Sequence, residues 1–309
     1  MKVNENKKLL IYLLALVILA IFSIAIFTWH VLYMYLVAIA SAFVVEFVFA
    51  KIRKKPINLI HWFQTPLLFV LFLPSQAPLW LVLYGTVFAV FFGKAVFGGD
   101  DKYVFNPAIV GMLFVTVSFP NQMNNEWYHP VIGLVGSNNT ATAYSMGILD
   151  ASIPDLLLGT SAGTTGEVFR LLILILGLGL MLFKVIDWKI PVSFLVSYFL
   201  FNLFGNMSNN NFELMDALMP LLVGTVMLSA FFAAPDEPTA AKYPIGRIIY
   251  GIGFGFFTFL IRNFSDFTDG LVFVIIIMNT LAPLIDHIEV KKYEPKLAVE
   301  TEEVGVLNE

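Results

Sequence analysis

The stretch Phe92–Ala108, FGKAVFGGDDKYVFNPA, places a lysine, two adjacent glycines, two aspartates and an Asn-Pro-Ala sequence between long apolar runs. Polar and helix-breaking groups near a membrane span are costly unless they are buried in protein. Paired glycines adopt backbone conformations closed to other residues, and Pro107 restricts Asn106 to extended geometry. We therefore expect Gly98, Gly99, Asn106 and Pro107 to form a broken helix end facing a protein-lined cavity. The alternative is a plain break between two spans.

The composition identifies the class of protein. Of the 309 residues, 59% are hydrophobic and only 13% are charged, which is too little charge to cover a soluble domain of this size. The chain is therefore predicted to be an integral membrane protein. Its formal net charge of −4 gives no indication of a nucleic-acid partner, and it has no cysteine for disulfides, thiolate metal sites or iron–sulfur clusters.

Apolar runs long enough to cross the hydrocarbon, at about 20 residues each, predict an all-α fold with about ten transmembrane helices. The ninth run is rich in glycine, which suits close helix packing. We expect one polytopic membrane domain over residues 1–293 and an acidic, disordered cytoplasmic tail over residues 294–309. The runs lie at 9–28, 31–50, 57–74, 78–97, 104–119, 167–183, 190–205, 213–234, 244–262 and 271–287.

The distribution of Lys and Arg predicts the orientation. Basic residues precede the first run and follow every even-numbered run, and they include Lys2 and Lys55. None lies between Lys102 and Arg170, and Arg262 alone departs from the pattern. Because cytoplasmic loops carry the excess of Lys and Arg, both termini are predicted to be cytoplasmic.

The same orientation places the longest loop, residues 120–166, outside the cell. A loop of this length within a compact membrane protein is more often functional than not. Five runs precede it and five follow it. An odd number of spans in each half gives the halves opposite topology, so a 5+5 inverted repeat is predicted.

Four charged residues near membrane depth are candidates for an ion path: Glu46, Lys94, Asp236 and Asp286. Intramembrane ionisable residues commonly mark such paths. The alternative for Glu46 is that its side chain reaches the cytoplasmic surface near Lys51, and carboxylates at span ends are often merely interfacial. The histidines show no paired spacing, so a haem or metal site built by this chain alone is not expected.

Several segments together resemble the NqrB/RnfD family, which comprises the B subunit of the Na⁺-translocating NADH:quinone oxidoreductase and the D subunit of the Rnf electron-transport complex. The similarity covers nearly the whole chain, in order. The segments are VVEFVFAKIRKKPIN (44–58), LPSQAPLW (73–80), FGKAVFGG with FNPA (92–108), FPNQM (119–123), DLLLGTSAGTTGE (155–167), WKIPVSFL (188–195), PDEPTAAK (235–242), LIRN (260–263) and NTLAPLIDH (279–287).

The resemblance implies a multi-pass subunit of the bacterial inner membrane that couples electron transfer to movement of Na⁺ or H⁺. It also implies FMN attached by a phosphoester bond to an outer-loop threonine, which aligns with Thr142, with Tyr144 or Trp127 beside the flavin. Riboflavin is the second candidate cofactor. Two departures leave the covalent attachment open, because Thr140 replaces a glycine of the family motif and Gly136 replaces an acidic residue.

Two functions from different classes therefore stand side by side. As a redox subunit, the chain requires other subunits of an Rnf- or Nqr-like complex, or an extracytoplasmic flavoprotein, together with a flavin transferase. It would then be part of a translocase rather than a complete enzyme. The alternative is a flavin-free transporter of a vitamin or other solute on the same scaffold. The B subunit carries an acid directly after the lysine of this segment, whereas this chain has Ala95, so the resemblance does not extend to that acid.

Overall fold

The computed structural model describes residues 5–54, 61–99, 102–124, 127–131, 133–136, 138–206 and 214–306, with side chains through Ile288. Lys2, Lys55 and the two aspartates at 100 and 101 lie outside these ranges. The elements are α1 (Glu5–Ile26), α2 (Trp29–Arg53), α3 (His61–Phe72), α4 (Leu79–Val90) with a π-helical segment (Phe91–Ala95), α5 (Pro107–Ser118), α6 (Pro120–Asn124), β1 (Trp127–Tyr128), β2 (Val135–Gly136), α7 (Thr140–Ser145), α8 (Ile153–Leu158), α9 (Arg170–Leu182), α10 (Lys189–Asn206), α11 (Leu214–Leu222), α12 (Val226–Leu228) with a second π-helical segment (Ser229–Ala233), α13 (Pro244–Phe264) and α14 (Leu271–Val306).

The fold is mostly helical, as predicted, and each predicted run contains a helix or a helix pair. Within the described residues, four helices are long and apolar enough to cross a membrane: α1, α2, α13 and the first 18 residues of α14. The pair formed by α11 and the segment Val226–Ala233 passes the same test but bends by 66°. Three of the remaining apolar helices, α4 with its π-helical segment, α5 and α9, are shorter than the predicted runs, whereas α10 covers its whole run. The last helix reaches Val306, into the tail for which disorder was expected.

Two of the runs are interrupted for identifiable reasons. The third run ends its helix at Phe72, and Pro74 then forms a β-bridge with Thr164 from the long loop. The eighth run breaks between α11 and α12, where Gly224 has a φ of +68° that L side chains rarely adopt. Such broken helices within a membrane require other partners for their free backbone groups.

One end of the molecule collects the basic links between the runs, and we call it the basic end. Lys8 Nζ lies 3.0 Å from Glu237 Oε1, which joins the start of α1 to the link before α13. Arg247 pairs with Asp187, which joins α13 to the link between α9 and α10. Burial raises the pKa of Asp187, but the Lys189 backbone N–H and the Arg247 guanidinium outweigh it and leave this pKa below its ordinary value. These two ion pairs bring the start of α1, the links after the sixth and eighth runs and the start of α13 together at one end.

The opposite end, which we call the loop end, is built around residues 120–166. This loop contains α6, a two-stranded antiparallel sheet, α7 and α8, and its last residues re-enter the protein. The N–H groups of Thr165 and Gly166 donate to Leu73 O and Leu71 O at 2.9 and 2.8 Å. These bonds satisfy carbonyls that the broken third run would otherwise leave free.

The glycines of α13 allow close packing against α10, as predicted. A Cβ at Gly251 would lie 2.8 Å from Ile190 O, so only glycine fits at this contact. Ser197 Oγ on α10 donates to Gly251 O at 3.4 Å. Small residues let helix backbones approach, and the serine adds a polar contact between the two helices.

Candidate functional site

The first candidate site lies on the π-helical segment Phe91–Ala95. Lys94 Nζ lies 2.7 Å from Glu46 Oε1 of α2, and the two side chains are 3% and 16% exposed. Glu46 therefore pairs with Lys94 while part of its side chain remains exposed. The two charges sit on neighbouring helices and compensate each other, which makes their burial tolerable.

The link after Lys94 has the geometry that its glycines allow. Gly98 and Gly99 have φ values of +121° and +90°, which side chains rarely adopt. Asn106 is extended, with φ −56° and ψ 118°, and its side chain accepts a hydrogen bond from Ala108 N at 3.1 Å as the N-cap of α5. Gly93 packs directly on Pro107, where a Cβ would lie 2.7 Å from the proline Cα.

A chain of polar contacts leads from this link to the segment that follows the eighth run. Asn106 N donates to Asn279 Oδ1 at 3.1 Å, and Asn279 Nδ2 donates to Tyr250 OH at 2.9 Å and to Thr239 O at 3.5 Å. Thr239 Oγ1 in turn donates to Asp236 Oδ2 at 3.0 Å. The contacts place Asn106 and Asp236 in one continuous network within the protein interior.

Asp236 lines a cavity of about 630 Å³ at the basic end. Gln64 Nε2 and Tyr103 OH donate to Asp236 Oδ1 at 3.3 and 3.4 Å, so a side chain of the third run and one just before the fifth run converge on this carboxylate. Tyr12 and His61 also line the cavity. Its volume lies in the range typical of small-molecule sites. Carboxylate and hydroxyl oxygens are among the groups that line it.

Asp286 takes a different role from that of Asp236. Its Oδ1 accepts a hydrogen bond from the backbone N–H of Lys242 at 2.9 Å. The carboxylate thus holds the segment that follows Asp236 against α14. The structure therefore places Asp236 and Asp286 at the same end of the molecule, in two separate sets of contacts.

The second candidate site is α7 at the loop end. Asn139 caps this helix, and its Oδ1 accepts a hydrogen bond from Thr142 N at 2.8 Å. The Thr142 side chain is partly exposed, and its hydroxyl lies 3.2 Å from the Thr268 hydroxyl. Thr142 is therefore a partly exposed residue whose hydroxyl contacts Thr268, in a helix whose first turn is fixed by its own cap.

Thr140, two residues earlier, has the opposite environment. It is 2% exposed, and its Oγ1 donates to Glu167 Oε1 at 3.0 Å and accepts from Arg170 Nη2 at 3.1 Å. Glu167 and Arg170 are themselves 1% exposed and paired at 3.4 Å. Sequence reasoning did not single out this pair. The sequence feature that could have revealed it is a glutamate followed three residues later by an arginine at the start of the apolar run 167–183.

A third cluster, also missed, explains why Arg262 departs from the charge pattern. Arg262 pairs with Asp269 and donates to Pro220 O at 3.1 Å. Asp269 Oδ1 accepts from Thr225 N at 3.0 Å. Arginine and aspartate thus satisfy the backbone groups on both sides of the break at Gly224. The charge on Arg262 is neutralised within the fold.

The two aromatic candidates lie on different parts of the loop. Tyr144 is on α7, its hydroxyl donates to Asp216 O at 3.4 Å, and burial raises its pKa to about 12. Trp127 is 4% exposed and pairs with Gly136 in the two-stranded sheet. Among the residues with described placement, no three His, Asp or Glu side chains form a metal-ligand group.

The chain resembles proteins of known name over most of its length. Residues 2–294 match the model of the NQR2, RnfD, RnfE family. The chain is 33% identical over 309 residues to the D subunit of an ion-translocating oxidoreductase complex from Actinobacillus succinogenes, and the match covers 84% of this chain and 85% of that protein. The protein of the same name from Haemophilus influenzae strain PittEE is 31% identical, with 84% and 86% covered.

A relative from the other branch is the B subunit of a Na⁺-translocating NADH-quinone reductase from Ectopseudomonas mendocina. It is 35% identical over 257 residues, and the match covers 80% of this chain and 63% of that protein. The chain therefore spans less than two thirds of the length of this relative, whereas it spans most of the two relatives named above.

Proposed function

The chain belongs to the NQR2, RnfD, RnfE family, and on this basis we propose that it is a membrane component of a complex that couples electron transfer to the movement of Na⁺ or H⁺. It lies in the bacterial cytoplasmic membrane with both termini and the basic end facing the cytoplasm. The names of the relatives support the class of complex. The distribution of Lys and Arg supports the orientation.

The buried ion pair between Glu46 and Lys94 carries this proposal. A carboxylate and an ammonium are expensive to hold within a membrane protein, even as a pair. A structural contact at this position could be made by apolar side chains. Lys94 of this pair lies on a π-helical segment, a feature that is frequent at functional sites. Glu46 therefore serves the ion path, and Asp236 provides a carboxylate at the basic end.

The redox group in this proposal is FMN, held at the outer face by a phosphoester bond to Thr142. The residues fit such a group, because Thr142 is partly exposed while the Thr140 hydroxyl is enclosed by Glu167 and Arg170. Bound FMN supplies reversible uptake of electrons. The protein fixes the attachment point through Asn139. A flavin transferase would form the bond by transferring the FMN group from FAD to the threonine oxygen, which breaks the pyrophosphate bond and releases AMP and the hydroxyl proton.

Other chains complete the path of electrons. This chain has no cysteine with which to hold an iron–sulfur cluster. Partner subunits of an Rnf- or Nqr-like complex, or an extracytoplasmic flavoprotein, therefore donate and accept the electrons. A 5+5 inverted repeat is part of the proposal. It is supported by the separation of the two halves by the long loop and by one π-helical segment in each half.

The proposal is tested by redox-driven ion uptake in everted membrane vesicles that contain the whole complex. With NADH or reduced ferredoxin as the electron donor, wild-type vesicles should accumulate ²²Na⁺ or acidify. The variant Glu46→Gln should lower the uptake rate at least about tenfold, which corresponds to about 1.4 kcal/mol. The matched control is Asp266→Asn, which changes an exposed carboxylate at the loop end and should leave uptake unchanged.

Unchanged uptake in Glu46→Gln would remove Glu46 from the ion path. Absence of donor-driven uptake in wild-type vesicles would reject the translocating complex. The second candidate function, a flavin-free transporter of a vitamin or other solute, would then be favoured by the cavity at Asp236. Donor-independent uptake of radiolabelled riboflavin, in cells whose purified protein contains no flavin, would establish that alternative.

A further inference from the structure

The ammonium group of Lys94 contacts the carboxylate of Glu46, which the proposed function assigns to the ion path. The two charged atoms are 2.7 Å apart, and the Lys94 side chain is 3% exposed. The next residue in the π-helical segment is Ala95, which is 2% exposed and carries no charge. The Lys94 ammonium is thus in direct contact with Glu46 Oε1, and no other cation fits between these two atoms.

Separating this pair would create a strong site for a positive ion. Removing one partner of a buried ion pair leaves an uncompensated charge, which is strongly unfavourable. A carboxylate left alone in such an environment must take up a proton or bind another cation. Any movement of Lys94 away from Glu46 therefore exchanges one cation for another at the same oxygen.

The backbone around Lys94 lies between a close packing contact and a pair of glycines. Gly93 packs on Pro107 so closely that a Cβ would not fit, which fixes the segment on one side. On the other side Gly98 and Gly99 have positive φ values and end the helix. The π-helical hydrogen bond from Val96 N to Phe91 O, at 3.0 Å, replaces the α-helical pattern at this point. Local conversion between π- and α-helical pairing would turn Lys94 relative to α2.

We propose that Lys94 is a tethered cation that competes with Na⁺ for Glu46. In the structure the lysine occupies the carboxylate. Na⁺ binds there only in the fraction of molecules in which Lys94 has moved away, so its apparent affinity is reduced by that fraction. The lysine thereby closes the path when no ion is being moved. This inference rests on the proposed role of Glu46 and adds the residue that controls access to it.

The test measures stabilisation of the purified protein by Na⁺ in detergent, without any redox reaction. Thermal unfolding is followed as NaCl replaces choline chloride at constant ionic strength. In Lys94→Gln the Na⁺ concentration that gives half of the stabilisation should be at least about tenfold lower than in the wild type. In Glu46→Gln/Lys94→Gln the stabilisation should disappear, because the carboxylate is gone.

Two further variants keep the test decisive if Lys94→Gln does not fold. Glu46→Asp retains both charges but shortens the carboxylate side chain, so it should shift the midpoint in the same direction by a smaller factor. Lys94→Arg retains the charge and should give no shift toward tighter binding. Equal midpoints in the wild type, Glu46→Asp and every folded Lys94 variant would overturn the inference.

The result separates this inference from the proposed function. A Na⁺ midpoint that shifts in Lys94→Gln, together with no donor-driven uptake in wild-type vesicles, would reject the translocating complex and retain the competition at Glu46. Donor-driven uptake that requires Glu46, together with no shift in Lys94→Gln, would retain the complex and reject the tethered cation.

Discussion

At the scale of single residues, the loop end separates two threonines that lie only two positions apart in the chain. The hydroxyl of Thr140 is enclosed by a carboxylate and a guanidinium, whereas Thr142 is partly exposed and its hydroxyl contacts Thr268. Replacing the glycine of the family motif by Thr140 therefore adds a contact that anchors α7. It does not add a second accessible acceptor.

This difference predicts which threonine carries the flavin. In protein expressed with a flavin transferase, mass spectrometry of the peptide containing both residues should show one added FMN minus water on Thr142. The modification should be lost in Thr142→Ala. It should persist in the matched control Thr140→Ser, which keeps the hydroxyl that contacts Glu167 and Arg170. An unmodified wild-type peptide would reject covalent attachment. A modification on Thr140 would mean that this residue, and not Thr142, corresponds to the threonine that carries FMN in the family.

At the scale of elements, breaks in helices create the sites. The π-helical segment carries Lys94, the link after it carries two glycines of positive φ, and the bend at Gly224 is held by Arg262 and Asp269. Each break leaves backbone groups that a regular helix would pair, and side chains or neighbouring loops satisfy them. The π-helical segment packs on α5 with almost no space between the two backbones.

The glycine at this contact gives a stability prediction. In Gly93→Ala the new Cβ would lie 2.7 Å from Pro107 Cα, so the two elements must separate. Overpacking of this kind typically costs about 1–3 kcal/mol, and we expect a lower melting temperature in detergent. The matched control is Gly179→Ala in α9, where a Cβ meets no atom within 4 Å. Alanine there should be neutral or stabilising, by up to about 1 kcal/mol. Equal melting temperatures for the two variants would contradict the close contact.

At the scale of the whole molecule, charge determines the proposed orientation. The links that contain most of the basic residues meet at one end through contacts such as Lys8 with Glu237 and Arg247 with Asp187. The long loop packs at the other end. Since one end carries the positive charge, it should remain in the cytoplasm during insertion.

Reporter fusions test this orientation. A reporter active only in the periplasm should be active when fused after Gly136 in the loop and silent when fused after Lys292. A cytoplasmic reporter at the same two positions should give the reverse pattern and serves as the control for expression. The opposite result at both positions would overturn the orientation while leaving the fold unchanged.

The class of protein, the approximate position of each helix and the family could all be predicted from the amino-acid sequence. They follow from local properties, because apolar run length, glycine and proline positions and motif order are read along the chain. The conformation of Gly98 and Gly99 and the extended backbone at Asn106 were also predictable, since a few neighbouring residues decide them.

The pairing of charges, in contrast, emerged only from the packing of the helices. Glu46 meets Lys94, 48 positions away in the sequence, and Asn106 meets Asn279 across the two halves. The shortened helices were not predictable either, because hydrophobicity does not distinguish an apolar residue in a helix from one in a buried turn. Burial and pairing depend on how helices pack in three dimensions, and this packing brings together residues that carry no local signal of each other.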